Sequence, residues 1–153
     1  MLQIKQSLLI ALLVLASGFS FASNDYSQID RMLDQVRSTL PNHWQTISIQ
    51  HSRMAEKAGE ELTPSIALLF SDPLLNSKIL QKNPLVGLDL PFKFLFFKDS
   101  EGKDQLTYTS SEFISKRHHY LNNELLSLFE AQLRRTTDSF AADDIYLPNL
   151  KNL

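Results

Sequence analysis

The sequence predicts an α+β fold: a single compact domain with helices packed on a mixed sheet of about four strands, and an extra C-terminal helix. Apolar residues recur at helical spacing over residues 29–40 and again over residues 121–133, and short apolar or alternating runs between them indicate strands. The length of 153 residues is near the common domain size, and no second composition regime appears that would need a linker, which favours a single globular domain. With 15 basic and 17 acidic residues, the chain gives no electrostatic reason to expect a nucleic-acid partner.

Residues 1–22 have the features of a secretory signal peptide. Lys5 gives the N-terminal region a positive charge, and residues 8–16 form an unbroken apolar run. Ser20-Phe21-Ala22 matches the small-x-small pattern of a signal-peptidase cleavage site. The apolar run is shorter than the roughly 20 residues that span a bilayer, which favours cleavage over a retained anchor. We therefore expect a periplasmic protein, cleaved after Ala22, without a stable membrane anchor.

The chain contains no cysteine, so neither a lipid-modified N-terminal cysteine nor a disulfide is available.

The first helix after the predicted signal peptide is expected to begin at Ser27, because a cap residue there is followed by apolar residues at helical spacing. Pro41 ends this helix, since its ring disfavours helical geometry at the residue before it. The predicted buried stripe consists of Ile29, Leu33, Val36 and Leu40.

The run Thr46–His51 alternates strictly and predicts a half-buried strand. Its two isoleucines and His51 would share the inner face. A short helix over Arg53–Ala58 is expected to end at Gly59.

A second strand is predicted over Ser65–Phe70, an apolar run without alternation that suits a central position covered on both faces. Asp72 can cap a helix over Pro73–Gln81, with proline at the first helical position where its missing N–H costs nothing. Asn83-Pro84 closes that helix.

Two further strands form the clearest hairpin, Phe92–Lys98 and Gln105–Thr109, joined by a turn that contains Gly102. The period-two aromatic face of the first strand, with Phe92, Phe94 and Phe96, is more often core than a ligand pocket.

The pattern Thr109-x-x-Glu112 is typical of a capping box that opens a helix. A last amphipathic helix is predicted over Leu121–Thr137. The domain would then occupy residues 23–140, and residues 141–153 would form a tail that wraps around it or frays.

The stretch from His51 to His118 resembles the bacterial domain of unknown function 302 family. Its most specific part is Gly87-Leu88-Asp89-Leu90-Pro91 followed by an aromatic strand. The other segments that carry the resemblance are GEELTP at 59–64, ALLFSDP at 67–73, ILQKNPLVGLDLPFKFLFF at 79–97 and the hairpin and helix start at 102–108.

The turn Phe70-Ser71-Asp72-Pro73 differs from the Phe-Gly-Asn-Pro turn usual in that family. The C-terminal helix also extends further than the family domain requires. The resemblance implies a compact α+β fold, often dimeric, and no established activity; a homodimer is therefore one of the expectations.

His51 and Asp89 are the candidate catalytic residues, because a titratable imidazole beside a buried carboxylate would form an acid/base pair. The plainer interpretation, favoured for both, is that each makes local hydrogen bonds. His51, Asp72, Asp89 and Tyr108 are the candidate ligand-binding residues, expected to converge at one end of the sheet. A ligand would lie between the hairpin, the Asp72-Pro73 turn and the Asp89 loop.

The adjacent pair His118-His119 offers no metal site, because neighbouring helical residues point about 100° apart and no third ligand is spaced to join them. A solvated helix end is the preferred interpretation of this pair. Neither a metal nor a cofactor is expected, since glycine-rich phosphate loops, nucleophile elbows and calcium loops are missing from the sequence.

Two functions remain open from the sequence. The first is a non-catalytic periplasmic module that binds a small ligand or a protein partner. The second is a small periplasmic enzyme that uses His51 and Asp89 as an acid/base pair.

Overall fold

Four strands and five α-helices make up the described part of the chain, residues 25–119 and 123–147 of a computed structural model. The predicted signal peptide lies outside these residues. The elements are α1 Ser27–Thr39, β1 Gln45–Ile49, α2 His51–Ala58, β2 Ser65–Ser71, α3 Pro73–Lys82, β3 Phe92–Lys98, β4 Asp104–Tyr108, α4 Ser111–His118 and α5 Asn123–Thr137, with short 3-10 segments at Pro84–Leu88 and Ala142–Asp144.

The four strands form one sheet in the order β1-β2-β3-β4, and every neighbouring pair is antiparallel. The α+β class and the number of strands are confirmed. The prediction of a mixed sheet is wrong, because each connection leaves and re-enters the sheet at the same end, even where it contains a helix. A parallel neighbour would need a crossover to the opposite end.

The core lies on one face of the sheet, where the aromatic stripe of β3 is fully buried. Phe94 packs against Phe70 with ring centroids 5.2 Å apart, and Phe92 stacks on Phe129 of α5 at 3.7 Å. Helix α1 packs on the same core through Ile29, Met32, Leu33 and Val36. Leu40, the last residue of the predicted stripe, is also buried but lies just after the helix. The prediction that the β3 aromatic stripe is core is therefore confirmed.

The opposite face of the sheet is less covered, and we call it the open face. Residues on β2 alternate between buried and half-buried, so the expected burial on both faces is wrong. Ile47 of β1, placed on an inner face by the sequence pattern, is 64% exposed. Strand β1 is an edge strand with only β2 beside it, and its isoleucines lie on the open face rather than in the core.

The local helix signals near Asp72 are confirmed. Its carboxylate accepts hydrogen bonds from the backbone N–H groups of Leu74 and Leu75, at 2.9 and 3.2 Å, and Pro73 is the first residue of α3. At α4 the cap lies one residue later than predicted: Ser110 accepts from the N–H of Phe113. Glu112 instead pairs with a lysine four residues further along the helix.

The described part of the C-terminal tail wraps along β4. Ile145 forms a parallel bridge with Leu106, and the N–H of Tyr146 donates to the carbonyl of Leu106 at 2.8 Å. The ring of Tyr146 also meets Phe97 edge-on at 6.3 Å. In residues 25–119 and 123–147, no helix combines the length and the hydropathy of a membrane span.

Candidate functional site

His51 and Asp89 lie at opposite ends of the sheet. His51 follows β1, whose last residue Ile49 pairs with Ala67, whereas Asp89 precedes Phe92, which pairs with the other end of β2. His51 is the first residue of α2 and is exposed, not the inward-facing end of a strand. The predicted convergence of the two side chains is therefore wrong.

Asp89 has a different histidine as its partner. His118 Nε2 is 2.5 Å from Asp89 Oδ2, and Arg117 Nε is 3.1 Å from the same oxygen. The side chains of Asp89 and His118 are only 12% and 6% exposed, so the pair is buried. The amide of Asn83 donates to the backbone carbonyl of His118 at 3.3 Å. These bonds hold the loop before β3 against the C-terminal end of α4.

The interpretation of His118 as a solvated helix end is wrong, and helical spacing could have corrected it. His118 lies four residues after Ile114, which is fully buried, so the two side chains share the inner face of α4. The 100° offset that excludes a two-histidine metal site also separates His118 from its exposed neighbour His119. The choice of Asp89 as the partner depends on the tertiary fold.

Asp72 is engaged as the cap of α3, and Asp89 is engaged by His118. The expected place between the Asp72-Pro73 turn and the Asp89 loop does contain an apolar groove of about 480 Å³. Ser71, Pro73 and Leu90 are among its lining residues, but neither carboxylate is. The ligand-binding role predicted for the two aspartates therefore has no support from the geometry of this groove.

Tyr108 lines a larger cavity of about 570 Å³, which we call the β4 cavity. It lies along the C-terminal half of β4, next to the end of the described tail, and takes residues from both faces of the sheet. Its lining residues are Lys93, Leu95, Thr107, Tyr108, Thr109, Ser110, Ser111, Glu112, Phe113, Glu130, Arg134 and Leu147. Of the four predicted ligand residues, Tyr108 is the one in this lining.

The polar groups of the β4 cavity are partly connected. The hydroxyl of Ser111 donates to Glu130 Oε2 at 2.6 Å, which ties the start of α4 to α5. Arg134 Nε lies 3.5 Å from the other oxygen of Glu130. Apolar walls with a few oriented polar groups are the usual make-up of a small-molecule site.

Burial raises the pKa of Tyr108, and the negative charge of Glu130 raises that pKa further, while Arg134 opposes the shift. The phenol is therefore kept neutral and available as a hydrogen-bond donor or acceptor to a pH above the ordinary range for tyrosine. An environment of this kind beside a cavity is a feature of binding sites as well as of catalytic ones.

We expect the Tyr108 phenol to ionise at higher pH than free tyrosine, followed by its absorbance near 295 nm and assigned with Tyr108→Phe. Glu130→Gln should lower this pKa only part of the way, because burial is the larger cause. Since the unfolded chain loses the phenolic proton first, this group reduces stability as the pH rises above the unfolded pKa. Glu124→Gln, which removes a carboxylate elsewhere on α5, should leave the transition unchanged. An unchanged transition in Glu130→Gln would contradict this placement.

Among the residues that the structure describes, there is no cluster of three or more histidine, aspartate or glutamate side chains arranged to hold a metal ion. Asp89 and His118 form a buried hydrogen-bonded pair, and Arg117, whose side chain is 47% exposed, joins it from the surface. These contacts tie the loop before β3 to α4.

Fold and site together define a small α+β domain: an antiparallel sheet with its core on one face, a tail along its last strand and a cavity beside that strand. The chain belongs to the family described as "Domain of unknown function DUF302", whose model matches residues 20–140. The family resemblance that the sequence suggested is thereby confirmed.

A crystal structure of an uncharacterized conserved DUF302 protein from Bacillus stearothermophilus is similar in fold. Its TM-score is 0.58 and its identity 15%, over 71% of this chain and 88% of the other. At this identity the likeness establishes the fold alone.

Two curated relatives share a shorter stretch. Fluoride-specific ion channel FluC 1 of Brucella suis biovar 1 and that of Brucella abortus biovar 1 are each 31% identical over 70 residues, 46% of this chain. The matched stretch spans 28% and 26% of those proteins, so the chain spans about a quarter of their length. This overlap is too small to carry the channels' activity to this chain.

Proposed function

We propose that this protein is an exported, non-catalytic module that binds a small ligand in the β4 cavity. The observation that carries the proposal is the cavity itself: about 570 Å³ with leucine, phenylalanine and tyrosine walls and a few oriented polar groups. This volume lies in the range of small-molecule sites, roughly 300–1,000 Å³. Tyr108 supports the proposal because its phenol lies in the lining as a hydrogen-bond donor or acceptor for a ligand.

The enzyme alternative loses the residues on which it depended. His51 and Asp89 cannot act on one substrate from opposite ends of the sheet. The pair that does form, Asp89 with His118, is nearly inaccessible and holds its proton-transfer atoms against each other. A binding function needs neither pair.

Export is part of the proposal, and its support is the signal-peptide pattern that ends at Ala22. We expect the mature chain to begin at Ser23 and to be released by osmotic shock. A native mass spectrum of the released protein would measure the N-terminus and the oligomeric state together, with a homodimer as the expected state. A chain that retains Met1 in the membrane fraction would contradict export.

The ligand site can be tested with N-phenyl-1-naphthylamine, an uncharged apolar fluorophore whose emission rises in apolar surroundings. We expect saturable binding at one site per chain. Leu95→Gln, which places an amide in the cavity wall, should weaken binding at least about fivefold. The substitution removes apolar contact area between ligand and wall that is equivalent to a few methyl groups.

Leu85→Gln is the matched control, since Leu85 is an exposed leucine outside the cavity lining. It should leave the affinity unchanged. Absence of saturable binding, or equal weakening by both substitutions, would contradict a ligand site in the β4 cavity.

A further inference from the structure

The charged side chains that line the β4 cavity differ in whether they already have an ion-pair or hydrogen-bond partner. Glu112 pairs with Lys116 at 2.9 Å, and Glu130 is engaged by Ser111 and Arg134. Lys93 has no hydrogen bond or ion pair from its side chain to any residue within 25–119 and 123–147. Among the described lining residues, the charged side chain without a partner is therefore that of Lys93.

Lys93 lies at the border between the cavity and the apolar open face. It pairs across the sheet with Leu69 of β2, and Leu95 follows it on the same face of β3. Thr109 adjoins it from the other side, where its N–H donates to the Lys93 carbonyl at 3.0 Å. An ammonium group in this position can meet the charged end of a ligand whose apolar body lies on the neighbouring leucine.

We propose that the β4 cavity takes an amphipathic monocarboxylate, an aliphatic or aromatic acid whose carboxylate pairs with Lys93 and whose body lies against Leu95, Phe113 and Leu147. This inference rests on the ligand-binding function proposed above. The carboxylate end belongs at the Lys93 side, because on the helical side the charge of Arg134 is already paired with Glu130.

Other ligand charges fit this lining less well. A cationic ligand would bring its charge beside Lys93 and would find both carboxylates already paired. A phosphate dianion is normally held by several charge-assisted donors, whereas one unpaired lysine supplies a single charge. A monocarboxylate carries one negative charge, which matches the single positive charge of Lys93.

The test is displacement of N-phenyl-1-naphthylamine by three ten-carbon probes: decanoate, decan-1-ol and decylamine. Lys93→Gln should raise the concentration of decanoate needed for displacement about five- to tenfold and leave that of decan-1-ol unchanged. It should lower the concentration of decylamine needed, because a like charge is removed. Lys82→Gln removes the same charge from an exposed helical site outside the cavity lining and should alter none of the three.

The experiment distinguishes an error in the proposed ligand class from an error in the proposed site. Saturable binding of the fluorophore, with decanoate and decan-1-ol changed equally or not at all by Lys93→Gln, would overturn the monocarboxylate while leaving the cavity as the site. Absence of fluorophore binding would overturn both proposals. A decanoate-specific loss in Lys93→Gln, with unchanged thermal stability, would support both.

Discussion

Replacing Phe94 with alanine should destabilise the protein by about 3–5 kcal/mol, the usual cost of removing a fully buried phenylalanine. Phe94 is 0% exposed and lies between the rings of Phe70, Phe96 and Tyr108, with centroid distances of 5.2, 6.1 and 5.6 Å. A loss of this size would consume a large part of the roughly 5–15 kcal/mol that holds a small domain folded. Urea unfolding of residues 23–153 measures this loss.

Phe97→Ala is the matched control on the same strand. Phe97 lies on the open face and is half-buried, so its loss should cost about 1–2 kcal/mol. Phe94→Leu, which leaves a smaller cavity, keeps the comparison usable if the alanine variant does not fold. Equal losses at Phe94 and Phe97 would contradict a core confined to one face of the sheet.

Asp89→Ala should cost about 3 kcal/mol, because it removes a buried carboxylate from two partners at once. The ring nitrogen Nε2 of His118 would be left buried without its hydrogen-bond partner. The effect arises at the contact between the loop before β3 and α4, so it should appear as a loss of unfolding free energy in urea.

Coupling between Asp89 and His118 distinguishes this pair from two independent sites. In a double-mutant cycle, Asp89→Ala and His118→Ala together should cost at least about 1 kcal/mol less than the sum of the single variants. His51→Gln combined with Asp89→Ala should instead be additive within about 0.5 kcal/mol, since the two residues lie at opposite ends of the sheet. The reverse pattern of coupling would contradict the structure.

The elements that the sequence predicts well are those determined by neighbouring residues. Asp72 with Pro73 contains its own cap and first helical residue, and the hairpin around Gly102 contains its own turn. The φ of +81° at Gly102 is a conformation that glycine adopts without steric cost. These signals need no knowledge of the rest of the chain.

The errors arise where long-range packing decides. Alternation in Thr46–His51 defines two faces but not which one meets the core, and the structure puts Ile47 on the open face. The strand also ends before His51, which begins α2. Likewise, Asp89 is recognisable as a buried carboxylate, but its partner on α4 is 29 residues away in the sequence and is selected by the fold.

The position of the bound ligand is measured most directly by NMR, from the changes in backbone amide chemical shifts during a titration with N-phenyl-1-naphthylamine. We expect the largest changes at residues 93, 95, 107–113, 130, 134 and 147, which line the β4 cavity, and little change at Asp72 and Asp89. Shifts centred on the groove between Pro73 and Leu90 would contradict a ligand site in the β4 cavity, as would a titration that moves no resonance.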